Sequence, residues 1–145
     1  MMKVLFVCTG NTCRSPMAES ILRKMEIPGL EVRSAGIYAQ SGSAASVNAI
    51  KVLDEQKIPH QHQASTLDED QVEWADYIFT MTTGHKETIL ARYSQARSKT
   101  FTLKEYAKME GYPDIADPFG GSVDIYREAF HEIKEAIEKA MEKLQ

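Results

Sequence analysis

The sequence predicts an α/β fold: a single doubly wound sheet of about four parallel strands with helices on both faces. Three observations carry that prediction. Lys3–Cys8 is an almost wholly apolar run of β-formers, without the alternation of a strand that turns one face to water. Similar short runs then alternate with stretches of helical period along the chain. The final segment carries a single apolar stripe, with Glu and Lys on its opposite side. A length of 145 residues suits one core. No repeat, low-complexity tract or linker-like shift in composition interrupts it, so residues 1–145 are taken as a single domain.

Taken in order, the first strand ends in the turn-prone stretch Thr9-Gly10-Asn11-Thr12. Ser15 as N-cap and Pro16 at the first helical position then predict a helix carrying Ala18, Ile21, Leu22 and Met25. Pro28-Gly29 stops it, and a second strand runs from Leu30 to about Gly36 or Ile37. Ser46 caps a helix with Val47, Ile50 and Leu53 on its apolar side, closing before Pro59. The acidic stretch Leu67–Asp70 reads as a turn, Ala75–Met81 as a third strand, His85–Tyr93 as a helix and Lys99–Leu103 as a short fourth strand. Met109–Gly121, with two prolines and three glycines, breaks the rhythm and reads as a functional loop. Val123, Tyr126, Phe130, Ile133, Ile137, Ala140 or Met141, and Leu144 mark the stripe of the last helix.

Composition narrows the function. A net charge of −4 argues against nucleic-acid and polybasic membrane partners. The apolar runs are too short to span a bilayer and the start has no signal-peptide pattern, so the expected setting is the cytoplasm. Two cysteines five positions apart, Cys8 and Cys13, suit reactive chemistry better than a secreted disulfide framework.

The segment Cys8-Thr9-Gly10-Asn11-Thr12-Cys13-Arg14-Ser15 lies where a parallel strand passes into a helix, which is where open α/β sheets bind ligands. Backbone N–H groups of such a turn can form an anion-binding nest, and the helix N-terminus adds positive potential. Gly10 gives the backbone the freedom a nest needs. Arg14 offers a planar fork to a phosphate-like oxyanion. The same positive surroundings favour the thiolate form of Cys8, a nucleophile for a bound phosphoryl group. The alternative is a buried cysteine at a strand end and a surface arginine. His60 and His62 could suggest a metal pair, but spacing supplies no third ligand.

The run from Cys8 to Glu19, Cys-Thr-Gly-Asn-Thr-Cys-Arg-Ser-Pro-Met-Ala-Glu, taken with Asp117-Pro118-Phe119 far downstream, resembles the low-molecular-weight protein-tyrosine-phosphatase family. Arg33-Ser34-Ala35-Gly36, His62 and the amphipathic last helix extend the resemblance over nearly the whole chain. It implies a small doubly wound sheet, no cofactor, and a phosphocysteine intermediate on Cys8. Arg14 and the loop amides would hold the phosphoryl oxygens. Asp117 would protonate the leaving atom and later activate water. Asn11, Ser15 and His62 would support the loop, Ser15 by a hydrogen bond to the thiolate.

Thr12 stands where tyrosine-directed members usually carry isoleucine, and so resembles the protein-arginine-phosphatase branch. Phe119 is followed by Gly120 rather than a second aromatic, which removes one wall for a phenol ring. Tyr38 is expected opposite Phe119. The expectation is a phosphoarginine phosphatase acting on phosphorylated proteins as a monomer, with phosphotyrosine as the alternative substrate. Arsenate reductases of similar loop sequence relay a disulfide through further cysteines, and none follows Cys13. Instead, Cys13 could trap an oxidised Cys8 as a reversible disulfide. A non-enzymatic phosphoresidue-binding module would need the arginine nest but neither Cys8 nor Asp117.

Overall fold

The computed structural model of the protein describes residues 2–144. Four parallel strands, β1 (Met2–Cys8), β2 (Leu30–Gly36), β3 (Tyr77–Thr80) and β4 (Thr100–Thr102), form one sheet in the order β2-β1-β3-β4. Six α-helices surround it: α1 (Arg14–Lys24), α2 (Val47–Glu55), α3 (Glu69–Trp74), α4 (Thr83–Arg92), α5 (Leu103–Tyr106) and α6 (Val123–Leu144). The predicted fold class is the observed one.

The apolar first run works as expected. Val4, Phe6 and Cys8 enter the core shared with α1, α2, α5 and α6, while Leu5 and Val7 enter the core shared with α3 and α4. Strand pleating sends alternate residues to opposite faces, so a central strand buried on both must be apolar throughout. The stripe of α6 lies buried from Tyr126 through Met141. Because β1 is central and its neighbours leave it in opposite directions, the order of the sheet reverses beside Cys8, and a crevice opens at the strand's carboxyl end.

Several boundaries differ from expectation. Ser15 is not the N-cap of α1. Cys13 occupies that position without a side-chain cap, and Ser15 lies inside the first turn with its hydroxyl turned to Cys8. The stretch at Leu67–Asp70 is a helix start rather than a turn: Asp68 Oδ1 accepts from the Gln71 N–H at 2.8 Å, and Glu69 and Asp70 fill the first turn of α3. That helix ends at Trp74 with Ala75 as its C-cap, so β3 begins at Tyr77, two residues later than expected. α4 starts earlier than expected, capped by Thr82. Leu103 opens α5 rather than ending β4, because Thr102 and Glu105 form a reciprocal capping box. Among the described residues, no helix is long and apolar enough to cross a membrane.

Candidate active site

β1 ends at Cys8 and α1 begins at Arg14, both almost fully buried at 3% and 4% exposure. The loop between them is tied down on every side. The Cys8 and Thr9 carbonyls accept from the Ile37 and Tyr38 N–H groups at 3.0 and 2.9 Å, and the Thr12 carbonyl accepts from the Ser46 N–H at 2.8 Å. Gly36, paired with Cys8 in the sheet, packs so closely that a Cβ there would lie 2.6 Å from the Thr9 carbonyl oxygen and 2.8 Å from the Asn11 nitrogen.

Asn11 organises the loop from beneath. Its backbone is left-handed, with φ 56°, which Asn tolerates better than most residues. Its amide nitrogen donates to Ser15 Oγ at 2.8 Å and Ser34 Oγ at 2.9 Å, and its side-chain oxygen accepts from the Ser65 N–H at 2.9 Å. His62 Nε2 reaches the Asn11 carbonyl at 2.6 Å. Since Ser34 donates its own hydroxyl to Glu19, the directions along the chain are set. Ser15 accepts from Asn11, and its hydrogen is free to donate to Cys8 Sγ, 2.9 Å away.

Arg14 Nη1 donates to the Ile115 carbonyl at 2.8 Å, Nη2 lies 3.7 Å from Asp117 Oδ2, and Nε is buried without a partner. The guanidinium therefore keeps a free donor at the site. The loop bearing Asp117 is fastened to the same end of the sheet. Asp114 Oδ1 accepts from the Thr83 N–H at 2.7 Å, and the Ile115 N–H donates to the Met81 carbonyl at 2.8 Å. Asp117 itself remains 53% exposed, and its Oδ1 accepts from the Phe119 N–H at 3.1 Å.

Cys8, Thr9, Gly10, Thr12, Cys13, Arg14, Asp117 and Phe119 line one cavity of about 240 Å³. A larger cleft of about 330 Å³ lies beside β2, against Leu22, Ile27, Arg33 and Trp74, away from these groups. Phe119 stands exposed at the rim, while Tyr38 stands outside the cavity with Arg92 over its ring, 5.4 Å from the centroid. His60 and His62 diverge: His60 pairs with Asp54 at 2.8 Å and His62 with the loop.

Sequence reasoning missed four contributors. Ser34, noted only within a longer match, links Asn11 to Glu19, and Ser65 completes the Asn11 cradle. Tyr126, assigned to the core stripe, also brings its hydroxyl within 3.3 Å of Cys13 Sγ; burial and that contact push its phenol upward. His85 bonds Thr9 across 76 residues of chain, and nothing local in the sequence signals it.

The pattern of the low-molecular-weight phosphotyrosine protein phosphatases matches residues 3–145. A protein-arginine-phosphatase of Geobacillus stearothermophilus is 49% identical over 144 residues, covering 99% of this chain and 96% of the relative. The low-molecular-weight protein-tyrosine-phosphatase PtpB of Staphylococcus epidermidis is 38% identical, over 95% of this chain and 96% of its own. Among solved structures, the YwlE arginine phosphatase from Geobacillus stearothermophilus superimposes with a TM-score of 0.95 at 48% identity, covering 100% of this chain and 94% of that one. With the matched pattern running through the whole of this cavity and its supports, the chain belongs to the low-molecular-weight phosphotyrosine protein phosphatase family.

Proposed function

We propose that the chain is a cytoplasmic, monomeric protein phosphatase that hydrolyses phosphoarginine. Cys8 attacks phosphorus, a P–S bond forms, and the P–N bond breaks as Asp117 delivers a proton to the departing guanidino nitrogen. Water then attacks the phosphocysteine, Asp117 takes its proton, and phosphate leaves with Cys8 restored as thiolate. Arg14 and the loop N–H groups hold the three peripheral oxygens throughout, where preorganised positive dipoles contribute most to rate.

The observation that carries the substrate choice is Thr12, which lines the cavity with Cys8 and Arg14. A hydroxyl there suits a polar, nitrogen-rich leaving group, whereas an isoleucine would offer an apolar wall to a phenol. The arginine-phosphatase relative, at the higher identity of the two compared, supports the same reading. Phosphotyrosine is the second reading, favoured by Phe119 at the rim. The test is Thr12→Ile, assayed on phosphoarginine and phosphotyrosine peptides. The expected result is a shift of the kcat/KM ratio toward phosphotyrosine by about tenfold or more, and an unchanged ratio rejects the assignment.

The same site carries a proposed redox guard. A peroxide oxidises Cys8 to the sulfenate and is itself reduced to water. The Cys13 thiol then displaces that oxygen as hydroxide, closing a Cys8–Cys13 disulfide that external thiol reopens. Both cysteines are free in the structure. Mild peroxide should abolish activity with one intramolecular disulfide, and thiol should restore it. In Cys13→Ser the loss should become irreversible, and equal recovery of that variant rejects the role.

A further inference from the structure

His85 is a buried titratable group to which the phosphoryl chemistry assigns no task. It sits in the first turn of α4, 9% exposed, with its own N–H donated to Thr82 Oγ1 at 3.1 Å. Its Nε2 lies 2.8 Å from Thr9 Oγ1, and its Nδ1 is buried without a partner. The ring therefore makes one polar contact, directed at the residue after Cys8. Burial and the Arg14 charge lower its pKa to about 4, outweighing Asp114 and Asp117, which act in the opposite sense. At ordinary pH the imidazole is neutral and holds Thr9 as a fixed hydrogen-bond partner, in either tautomer.

Thr9 is consequently gripped from two sides. Its carbonyl accepts from Tyr38 N–H, just beyond β2, which fixes the peptide plane shared with Gly10. Its hydroxyl meets His85 on α4, which anchors the side chain and with it the Cα joining that plane to the one shared with Cys8. Those planes carry the N–H groups of Thr9 and Gly10, and both residues line the cavity. We propose that His85 is a positioning residue for the phosphate loop: its bond to Thr9 Oγ1 holds the first loop amides in register with the bound phosphoryl oxygens. The proposal rests on the phosphatase reading for its catalytic consequence, though not for its effect on anion binding.

The test compares wild type, His85→Ala, His85→Gln, Thr9→Val and the double variant His85→Ala/Thr9→Val. For each, kcat and KM are measured on an aryl phosphate, and binding of inorganic phosphate by calorimetry. Loss of the bond in His85→Ala should lower kcat/KM and phosphate affinity together by about tenfold. Gln, which can place an amide nitrogen near the Nε2 position, should recover most of both. Thr9→Val should reproduce the loss, and the double variant should be no worse than either single one. The limbs of the kcat/KM pH profile should stay in place in His85→Gln, since the ring moves no proton.

Three results overturn the proposal: His85→Ala within about twofold of wild type in both quantities, Gln as impaired as Ala, or losses that multiply in the double variant. If His85→Ala does not fold, Thr9→Val and His85→Gln still decide. A wild-type chain that binds phosphate but turns over neither aryl phosphate nor phosphoarginine refutes the phosphatase reading instead, and the phosphate-affinity arm still tests His85.

Discussion

Asn11 and Gly36 hold the same loop by opposite means, one through its side chain and the other by lacking one. Asn11 is fully buried and satisfies both hydrogens of its amide, its side-chain oxygen and its carbonyl within the cradle. Gly36 admits the loop to within contact distance of β2. Gly36→Ala would drive a methyl group against the Thr9 carbonyl and the Asn11 nitrogen, both backbone atoms that cannot swing aside, and against Ala39 Cβ at 2.9 Å. The expected result is destabilisation of about 1–3 kcal/mol by overpacking and a fall in kcat/KM of about tenfold or more as the loop shifts. Urea denaturation and aryl phosphate kinetics measure the two, and a variant with unaltered kinetics shows that the loop tolerates the displacement. Asn11, Ser15 and His62 were legible through the family resemblance. The demand on Gly36 was not, because a glycine at the end of a strand reads as a turn signal whether or not another backbone presses on it.

At the level of elements, legibility followed how far a signal depends on local spacing. The double burial of β1 and the stripe of α6 are periodic patterns, and both appear in the fold with their expected residues. Starts of helices were less secure, since a cap is defined by what its side chain bonds. Ser15 has the sequence signature of an N-cap, yet its hydroxyl is turned to Cys8 and Asn11. The first turn of α1 is thereby left without a side-chain cap, so its N–H groups face the cavity end of the sheet. Asp68 was misread in the other direction, as part of a turn, when its carboxylate caps α3. The short α5 has too few residues for any period to register and is held by its capping box. The loop from Met109 to Gly121 was recognised by its broken rhythm. Its attachments through Asp114 to α4 and through Ile115 to Arg14 are contacts between distant segments, and no local pattern encodes them.

For the molecule as a whole, the contact that orders the phosphate loop also ties global stability to pH. The unfolded chain exposes His85 with the ordinary imidazole pKa of 6.5, whereas burial and Arg14 lower it to about 4 in the folded protein. Between those values the unfolded state binds a proton that the folded state refuses, so stability must fall as pH drops from 6.5 toward 4. Partial screening keeps the contribution to on the order of 2 kcal/mol, less than the full displacement would give. Carboxylates act in a lower window. Burial raises Glu105, but its bonds from Lys86 and Thr102 outweigh that and leave it lowered from 4.5, so its contribution is lost on acidification below that value. His85→Gln removes the imidazole and leaves Glu105 untouched, so its comparison with wild type separates the terms. Unfolding free energies from urea titrations at pH 7, 6 and 5 should fall more steeply for wild type than for His85→Gln, and the curves should run parallel again below pH 4, the folded-state pKa. Parallel curves across the whole range would mean that His85 titrates as in the unfolded chain, and would remove both the neutral ring and the stability term built on it.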